Sequence, residues 1–228
     1  MILSLDSSAG AASVCLYNGE KVIGQFFINA KLTHSETLMP MIAELLDNTR
    51  INIHDVDCFA VSSGPGSFTG LRIGISAIKG MAFAENKPCV SVSTLLAMDA
   101  QIEYENYIIC AVMDARCNQV YNALFKNHQR LTDDRAITID ELKIELKGYN
   151  ERILFVGDGA ELCYNAIKEE NENVFIAPLH LRYQSAYGVA FAATQKYKNK
   201  EFLSAVELSP VYLRLPQAER ELRKRNNL

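Results

Sequence analysis

Apolar and β-branched residues along the first third of the chain predict three consecutive strands. Residues 1–5, 13–17 and 21–28 are each rich in side chains that favour extended backbone. Asn18 and Gly19 separate the second run from the third, and this pair is typical of a tight hairpin turn. We therefore expect the chain to begin as an antiparallel β-meander.

Helical periodicity replaces this pattern after the meander. Residues 33–36 read Thr-His-Ser-Glu, which has the form of a capping box and predicts the start of a helix. Leu38, Ile42 and Leu45 then recur on one helical face. A buried strand over residues 56–62 follows this first helix.

The second helix, over residues 71–84, has two nonpolar faces. The large apolar stripe consists of Leu71, Ile75, Ile78 and Ala82. Beside it lies a face of mostly small residues, which includes Gly70 and Gly74. Together the two faces cover about 200°, whereas a helix that covers one core needs roughly 100°. We therefore expect two packing partners: the sheet of this domain, and either another helix of this chain or a helix of another subunit.

The second half of the chain repeats this order in a weaker form. A buried strand over residues 107–113 ends in Asp114, as the first strand of the chain leads into Asp6. Further strands are predicted at 119–126, within 131–139, at 152–156 and at 174–177, and helices at 139–147, at 160–170 and after Ser185. The boundary between the halves falls near residues 103–106.

The repeated order predicts an α/β fold of two domains, each built on a βββαβα unit. Residues 1–103 form the first domain, and residues 104–228 form a second, degenerate domain with a basic tail. This is the architecture of the actin, Hsp70 and sugar-kinase group, in which a nucleotide lies between the halves.

The connection between the fourth strand and the second helix is glycine-rich, with the sequence Ser-Ser-Gly-Pro-Gly-Ser-Phe-Thr-Gly over residues 62–70. A helix N-terminus suits an anion because its first N–H groups are unpaired. However, the loop lacks the Gly-Lys-Ser/Thr of a Walker loop, and strand-to-helix turns need glycine whatever they bind. Nucleotide contact therefore stays open. The residues that would make it are Asp6, Ser7, Ser8, Gly64, Gly66, Ser67, Thr69 and Gly70.

Composition narrows the classes of protein that fit. The chain has 228 residues, 49% of them hydrophobic, and no apolar run near the ~20 residues of a membrane span or in the form of a signal peptide. Its six cysteines are scattered without a Cys-x-x-Cys pair, which favours reduced thiols and a cytoplasmic location. The net charge of −4 argues against a protein that grips nucleic acid over its whole surface.

A local basic segment near the C-terminus leaves a smaller nucleic-acid contact open. Its cations are Arg214, Arg220, Arg223, Lys224 and Arg225, and Glu219 and Glu221 dilute them. The segment is either a solvated helical end or a contact for RNA within a larger assembly.

The residue types that catalyse reactions are thinly spread. The four histidines are dispersed without a His-x-x-x-His pair, so we expect no metal site. Ser67 follows Gly-Pro-Gly but has no nucleophile elbow around it. Asp6 and Asp114 end strands where this architecture would hold magnesium and phosphate, although aspartate is also ordinary turn chemistry, the interpretation favoured for Asp158.

Five motifs in order along the chain resemble the TsaB (YeaZ-like) family. They lie at residues 6–8, 33–40, 63–74, 113–116 and 210–214, and include the whole glycine loop. The resemblance covers the chain from end to end. One departure is Cys117-Asn118-Gln119, where that family usually has a second basic residue and an acid.

The resemblance implies an actin-like fold and a role in forming N6-threonylcarbamoyladenosine next to the anticodon of tRNAs that read codons starting with A. In that machinery the TsaB subunit is the non-catalytic partner of the catalytic TsaD subunit, and a small ATPase, TsaE, docks on the pair. The resemblance also implies a homodimer when TsaD is scarce, tRNA contact only through the complex, and no cofactor of its own, with ATP or ADP at the partner interface left open.

The catalytic relative has the same glycine loop, followed by a strand and a His-x-x-x-His metal pair. Residues 90–98 of this chain contain no histidine, and no aspartate follows Asp158. The resemblance therefore implies that this chain keeps the fold without the chemistry. The alternatives are a nucleotide-dependent enzyme of the actin-like or kinase fold, a glycoprotease-like peptidase and a tRNA-binding module.

The resemblance also implies that the two helices beginning near residues 33 and 69 pair with TsaD or with a second copy. We expect the interface residues His34, Leu38, Ile42, Leu45, Gly70, Leu71, Gly74, Ile75, Ile78 and Ala82. Replacing Leu38 or Ile75 by Glu would then abolish pairing if the side chain faces the partner, whereas burial in the monomer predicts an insoluble protein.

Overall fold

The computed structural model describes residues 1–30 and 32–214 and contains two sheets. The first sheet has the strand order β3-β2-β1-β4-β5. Its strands are β1 (Ile2–Asp6), β2 (Ala12–Tyr17), β3 (Val22–Ile28), β4 (Cys58–Gly64) and β5 (Cys89–Ser93). The first three are antiparallel neighbours, which confirms the predicted meander, and β4 and β5 extend the sheet in parallel.

The second sheet repeats this arrangement. Its strands are β6 (Tyr107–Asp114), β7 (Gln119–Lys126), β8 (Gln129–Arg130), β9 (Arg135–Thr138), β10 (Arg152–Val156) and β11 (Val174–Ile176). The order is β11-β10-β6-β7-β8, with β9 also paired to β7. Because β6 and β7 are antiparallel and β10 and β11 run parallel to β6, the sheet matches the first in topology. The predicted α/β duplicated fold is confirmed.

Helices cover both faces of each sheet. They are α1 (His34–Thr49), α2 (Phe68–Glu85), α3 (Thr94–Ala100), α4 (Ile139–Leu146), α5 (Ala160–Ile167), α6 (Leu179–Arg182) and α7 (Ala186–Lys198). One apolar cluster joins α1 and α2 to the first sheet, and a second joins α4 and α5 to the second sheet. Among the described helices, none is long and apolar enough to cross a membrane.

The last helix crosses back to the first half. Val189, Ala190 and Ala193 of α7 are buried against β1, β2 and β4, and Leu203 pairs with Cys89 at the edge of the first sheet. The chain therefore returns to the first sheet after completing the second. The division at residues 103 and 104 stays a prediction.

The predicted capping box of α1 does not form. Thr33 precedes the helix in extended conformation, but its side chain accepts no backbone hydrogen bond. Its hydroxyl instead donates to the Glu36 carboxylate at 2.5 Å.

Nine of the ten residues expected at a partner interface are buried inside this chain, and the tenth, His34, is half-buried. Leu38, Ile42, Leu45, Ile75, Ile78 and Ala82 belong to the core beneath α1 and α2, and Leu71 is fully buried. Gly70 lies against the Ser7 carbonyl oxygen and His34, and Gly74 lies against Ser7 and Leu5. The turn after β1 therefore covers the part of the small-residue face that Gly70 and Gly74 form. Pairing itself stays a prediction and needs other side chains of α1 and α2.

Candidate functional site

A cleft of about 600 Å³ lies between the two halves. The first half contributes the turn after β1 and the glycine loop, and the second half contributes the end of β6, Tyr121 and Asp158. Both sheets therefore present the loops after their first strands to one space. The described residues that line it are Ser8, Ala9, Gly10, Gly66, Ser67, Phe68, Thr69, Met113, Asp114, Ala115, Arg116, Tyr121 and Asp158.

Asp6 lies buried beneath the turn that follows β1. Its Oδ1 accepts hydrogen bonds from the Ser8 backbone N–H at 2.9 Å and the Ser8 hydroxyl at 2.7 Å. Burial raises the pKa of this carboxyl, while the hydrogen bonds from Ser8 act in the opposite direction. Within the described part of the chain, Oδ2 has no hydrogen-bond partner. Asp6 therefore orders the turn with one oxygen, while the other is buried beneath the turn.

The glycine loop is packed directly on this turn. The Ser67 backbone N–H donates to the Ser8 carbonyl oxygen at 2.7 Å. A methyl group at Gly66 would overlap the same oxygen, so only glycine allows this approach. The glycine spacing therefore has a structural cause that does not require a bound phosphate.

The N-terminus of α2 opens towards the cleft beside the C-terminal segment. The Ser67 hydroxyl caps the helix by accepting from the Gly70 N–H at 3.3 Å. Phe68 stacks on Tyr212 with ring centroids 4.3 Å apart, and the Arg72 Nε–H donates to the Tyr212 hydroxyl at 2.8 Å. The helix N-terminus could hold an anion, and the Phe68–Tyr212 pair stands beside it.

The C-terminal segment links the two halves. The Val211 N–H donates to the Ser63 carbonyl oxygen at 2.8 Å, and an Arg214 guanidinium N–H donates to the Ala115 carbonyl oxygen at 2.6 Å. Of the basic segment, Arg214 is the described member. Arg220, Arg223, Lys224 and Arg225 lie outside the described residues.

The second half presents two carboxylates to the cleft. Asp114 accepts from the Arg116 backbone N–H at 2.7 Å, and Asp158 accepts from Gln184 Nε2 at 2.6 Å. Asp158 opens to the cleft, but the surrounding protein reduces the hydration of its carboxylate. This loss of hydration, with smaller contributions from the charges of Asp114 and Asp6, raises the Asp158 pKa to about 6.

The arrangement suits charge-based binding more clearly than covalent chemistry. The N-terminus of α2 and the two carboxylates that line the cleft, Asp114 and Asp158, could hold a phosphate bridged by a cation. In residues 1–30 and 32–214, however, no three His, Cys, Asp or Glu side chains are grouped so that they could hold a metal ion on their own. The Ser67 hydroxyl accepts a hydrogen bond from the Gly70 N–H, and its described polar contacts include no side chain that could act as a base.

The structure brings together some of the residues that were predicted to contact a nucleotide. Ser8, Gly66, Ser67 and Thr69 line the cleft. The others lie beneath or beside it: Asp6 and Ser7 under the turn, Gly64 against Val211, and Gly70 against Ser7. Gln184 was missed, because nothing in its local sequence indicates that it is buried against Asp158, 26 positions away.

Several apolar or small side chains remain exposed or half-buried on α1 and α2, and we name this group the outer helix face. It consists of Met39, Ala43, Ile73, Ser76, Gly80 and Phe83, all exposed or half-buried. Phe83 has 75% of its surface exposed and Met39 has 50%. The helical period could have identified these positions, since they lie opposite the large apolar stripes.

Comparisons with known proteins agree with this architecture. Residues 28–222 match the family model of TsaD, described as tRNA N6-adenosine threonylcarbamoyltransferase. The chain is 32% identical over 231 residues to the tRNA threonylcarbamoyladenosine biosynthesis protein TsaB of Haemophilus influenzae, with 93% of each chain covered.

Solved structures extend the likeness to three dimensions. YeaZ from Pseudomonas aeruginosa matches with a TM-score of 0.77 at 25% identity, covering 93% of this chain and 99% of that one. The ROK hexokinase from Thermus thermophilus matches in fold alone, with a TM-score of 0.52 at 9% identity over 87% of this chain and 99% of the hexokinase. The identity over almost the whole length is decisive: the chain belongs to the TsaB family of tRNA threonylcarbamoyladenosine biosynthesis proteins.

Proposed function

We propose that this chain is the non-catalytic partner of a TsaD-like subunit that transfers threonylcarbamoyl to N6 of the adenosine next to the anticodon. The outer helix face is the docking surface. The observation that carries the proposal is the exposure of Phe83 and Met39 on adjacent helices of a chain that belongs to the TsaB family.

The energetics of the outer helix face support docking. Fully burying a side chain such as Phe or Met contributes about 1.5–3 kcal/mol. Ala43, Ser76 and Gly80 are small, so a partner helix can approach closely between the larger side chains. A few such contacts are enough for a stable interface when they are well packed.

The non-catalytic role is supported by the residues around the glycine loop. Residues 90–98, which follow the loop and its helix, contain no histidine, although the resemblance to the catalytic family predicts a histidine pair at this place in a chain that carries the metal. The close contact between Gly66 and Ser8 also accounts for the glycines by packing. The loop can therefore hold α2 in place without taking part in a reaction.

Co-purification with a TsaD-like subunit, followed by modification of a tRNA transcript, tests this proposal. We expect Phe83→Glu and Met39→Glu each to reduce pairing and modification by at least tenfold, because each places a charge in a desolvated contact. Ile144→Glu is the matched control, since Ile144 is 72% exposed on α4 of the second half.

The circular dichroism spectrum and thermal midpoint of each variant must match those of the wild type, so that lost pairing is not lost folding. Unchanged pairing by both outer-face variants would contradict the docking surface. Modification by TsaD without this chain, at the rate of the complete system, would contradict the partner role itself.

A nucleotide in the cleft is a second candidate, favoured by the position of Ser8, Ser67 and the α2 N-terminus around a space of about 600 Å³. ATP and ADP titrations of the isolated chain and of its complex with TsaD would separate a site within the cleft from one at the shared interface. Hydrolysis by the isolated chain would support the alternative of a nucleotide-dependent enzyme.

The remaining partners belong to the same proposal. A homodimer would use the outer helix face when TsaD is absent, so Phe83→Glu should leave a monomer by light scattering. The TsaE-like ATPase would dock on the assembled pair, and tRNA would contact the chain only within the complex. A cytoplasmic location, where tRNA is modified, completes the proposal.

A further inference from the structure

A second cleft, which the proposed function does not use, lies between the end of α3 and the turn that joins β7 to β8. Its volume is about 550 Å³. Asp99, Glu103 and Glu105 contribute carboxylates on one side, and His128 lies on the other. The described lining contains no Lys or Arg side chain, so acids dominate its charge.

Asp99 is the strongest indication that this cleft receives a hydrogen-bond donor. Its side chain is 1% exposed, and its Oδ2 accepts from Nδ1 of His128 at 3.0 Å. Its Oδ1 is also buried but has no hydrogen-bond partner among the described residues. A buried carboxylate oxygen without a donor is unfavourable, so a donor that enters the cleft gains a strong, charge-assisted bond.

The neighbouring charges favour a cation over a neutral donor. Glu103 and Glu105 are exposed beside the cleft. Arg130, the cation near Asp99, is already engaged: it pairs with Asp134 at 2.5 Å and lies over the Phe125 ring at 4.8 Å. His128 offsets part of the charge of Asp99 when it is protonated, which leaves the two glutamates uncompensated within the lining.

The other walls favour an organic cation with an aliphatic body. Ile102 is buried at the base, and Tyr104 is 38% exposed. An aromatic ring attracts a cation to its face, and apolar walls accept methylene groups. Since no three potential metal ligands converge here or elsewhere in the described chain, the lining fits N–H donors better than a bare divalent ion.

We propose that this cleft binds a small linear organic amine. One ammonium group donates to Oδ1 of Asp99, the methylene chain lies along Ile102 and Tyr104, and a second ammonium group pairs with Glu103 or Glu105. The site is independent of the outer helix face and of threonylcarbamoyl transfer.

Calorimetric titration of the full chain with three matched probes tests the chemistry. The probes are 1,4-diaminobutane, n-butylamine and n-butanol, with MgCl₂ as a separate arm. We expect saturable binding of both amines, tighter for the diamine than for the monoamine, and no saturable binding of the alcohol. Binding of the alcohol equal to that of the amines, saturation by Mg²⁺ alone, or no saturable binding of the diamine would overturn the proposal.

Variants then locate the site. The double change Glu103→Gln and Glu105→Gln should weaken diamine binding by about tenfold while affecting the monoamine less. Asp99→Asn should weaken both amines by at least tenfold. Glu161→Gln, at a carboxylate 72% exposed on α5, is the control and should change neither.

Asp99 is buried, so its variant must be checked for folding, and the double glutamine variant decides the question if Asp99→Asn does not fold. Equal diamine affinity in the wild type and the double variant would overturn the assignment of the second ammonium group and, with it, the site.

Discussion

Two glycine turns occupy corresponding places in the two halves, at the ends of β4 and β10. Gly64 and Gly157 have φ values of 128° and 106°, in the region that favours glycine. At each position a methyl group would overlap a backbone carbonyl oxygen, that of Val211 for the first and that of Val112 for the second. The same turn geometry therefore recurs in both halves.

Each turn also lies against the loop that follows the first strand of its half. Gly66 lies against the Ser8 carbonyl oxygen, and a methyl group at Gly159 would lie 3.0 Å from the Asp114 backbone nitrogen. The duplicated topology thus places a glycine turn against the end of the first strand in each half. Glycine here reflects close packing, so it is not by itself a sign of bound phosphate.

The halves differ in the helix that each glycine turn leads into. Ser67 caps α2, a helix of 18 residues with an exposed side, whereas Gly159 precedes α5, a helix of 8 residues without a side-chain cap. The second turn instead carries Asp158, whose pKa is raised. The first half therefore has a long helix with an exposed face, and the second half has a carboxyl group with a raised pKa.

The largest expected effect comes from the positive-φ glycines. Gly64→Ala and Gly157→Ala should each lower the free energy of unfolding by about 3 kcal/mol or more, because strain and backbone overlap add. Urea unfolding followed by circular dichroism measures both. A tolerated change in one half and a severe one in the other would break the equivalence of the two turns.

Gly66 and Gly159, the two glycines that lie against these loops, should differ in how much an added methyl group destabilises the fold. Gly66→Ala should cost about 2–3 kcal/mol, since the added methyl group overlaps a backbone oxygen, whereas Gly159→Ala, at 3.0 Å from its nearest neighbour, should cost about 1 kcal/mol. Thermal unfolding of the two variants at equal concentration gives the comparison. The reverse order would mean that the Ser8 turn yields more easily than the Asp114 turn.

The smallest expected effect is the pH dependence of Asp158. Its folded-state pKa of about 6 exceeds the usual 3.8, so the folded state binds the proton more tightly than the unfolded state. This contribution to stability is present at low pH and is lost as pH rises from about 4 to about 6. At pH above this window, Asp158→Asn should be more stable than the wild type by about 1 kcal/mol, after allowance for solvent exposure.

Unfolding across pH separates this effect from a general change in stability. Asp158→Asn should lose the slope between pH about 4 and about 6, and Asp114→Asn should shift the slope to lower pH because Asp114 contributes to the raised pKa. An unchanged slope in Asp158→Asn would assign the titration to another group.

Much of the fold was predictable because strands and helices carry short-range patterns. Residues 119–126 and 152–156 were predicted as strands with the observed bounds. The helix α3 was missed, because residues 94–100 are short and nearly all apolar, which hides the helical period. The return of α7 to the first sheet was also missed, since burial on one helical side does not identify which sheet provides the cover.

The candidate site was predictable in smaller part. Asp6, Ser8 and the glycine loop were identified because strand ends and glycine turns are visible in a single sequence. The cover on Gly70 and Gly74 was not, because it comes from Ser7, more than sixty positions earlier. The residues expected at the interface are therefore mostly those of the buried stripes, and the exposed positions of α1 and α2 were overlooked.

The sequence by itself determined the order of strands and helices, the apolar stripe of Leu71 and Ile78, and the resemblance to the TsaB family. Periodicity carries this information because it depends on neighbours within a few residues. Only the tertiary structure decided that the turn after β1 covers Gly70 and Gly74 of α2 and that Phe83 and Met39 stay exposed. A pattern shows which residues share a face, whereas the surface that covers that face depends on contacts between residues far apart in the chain.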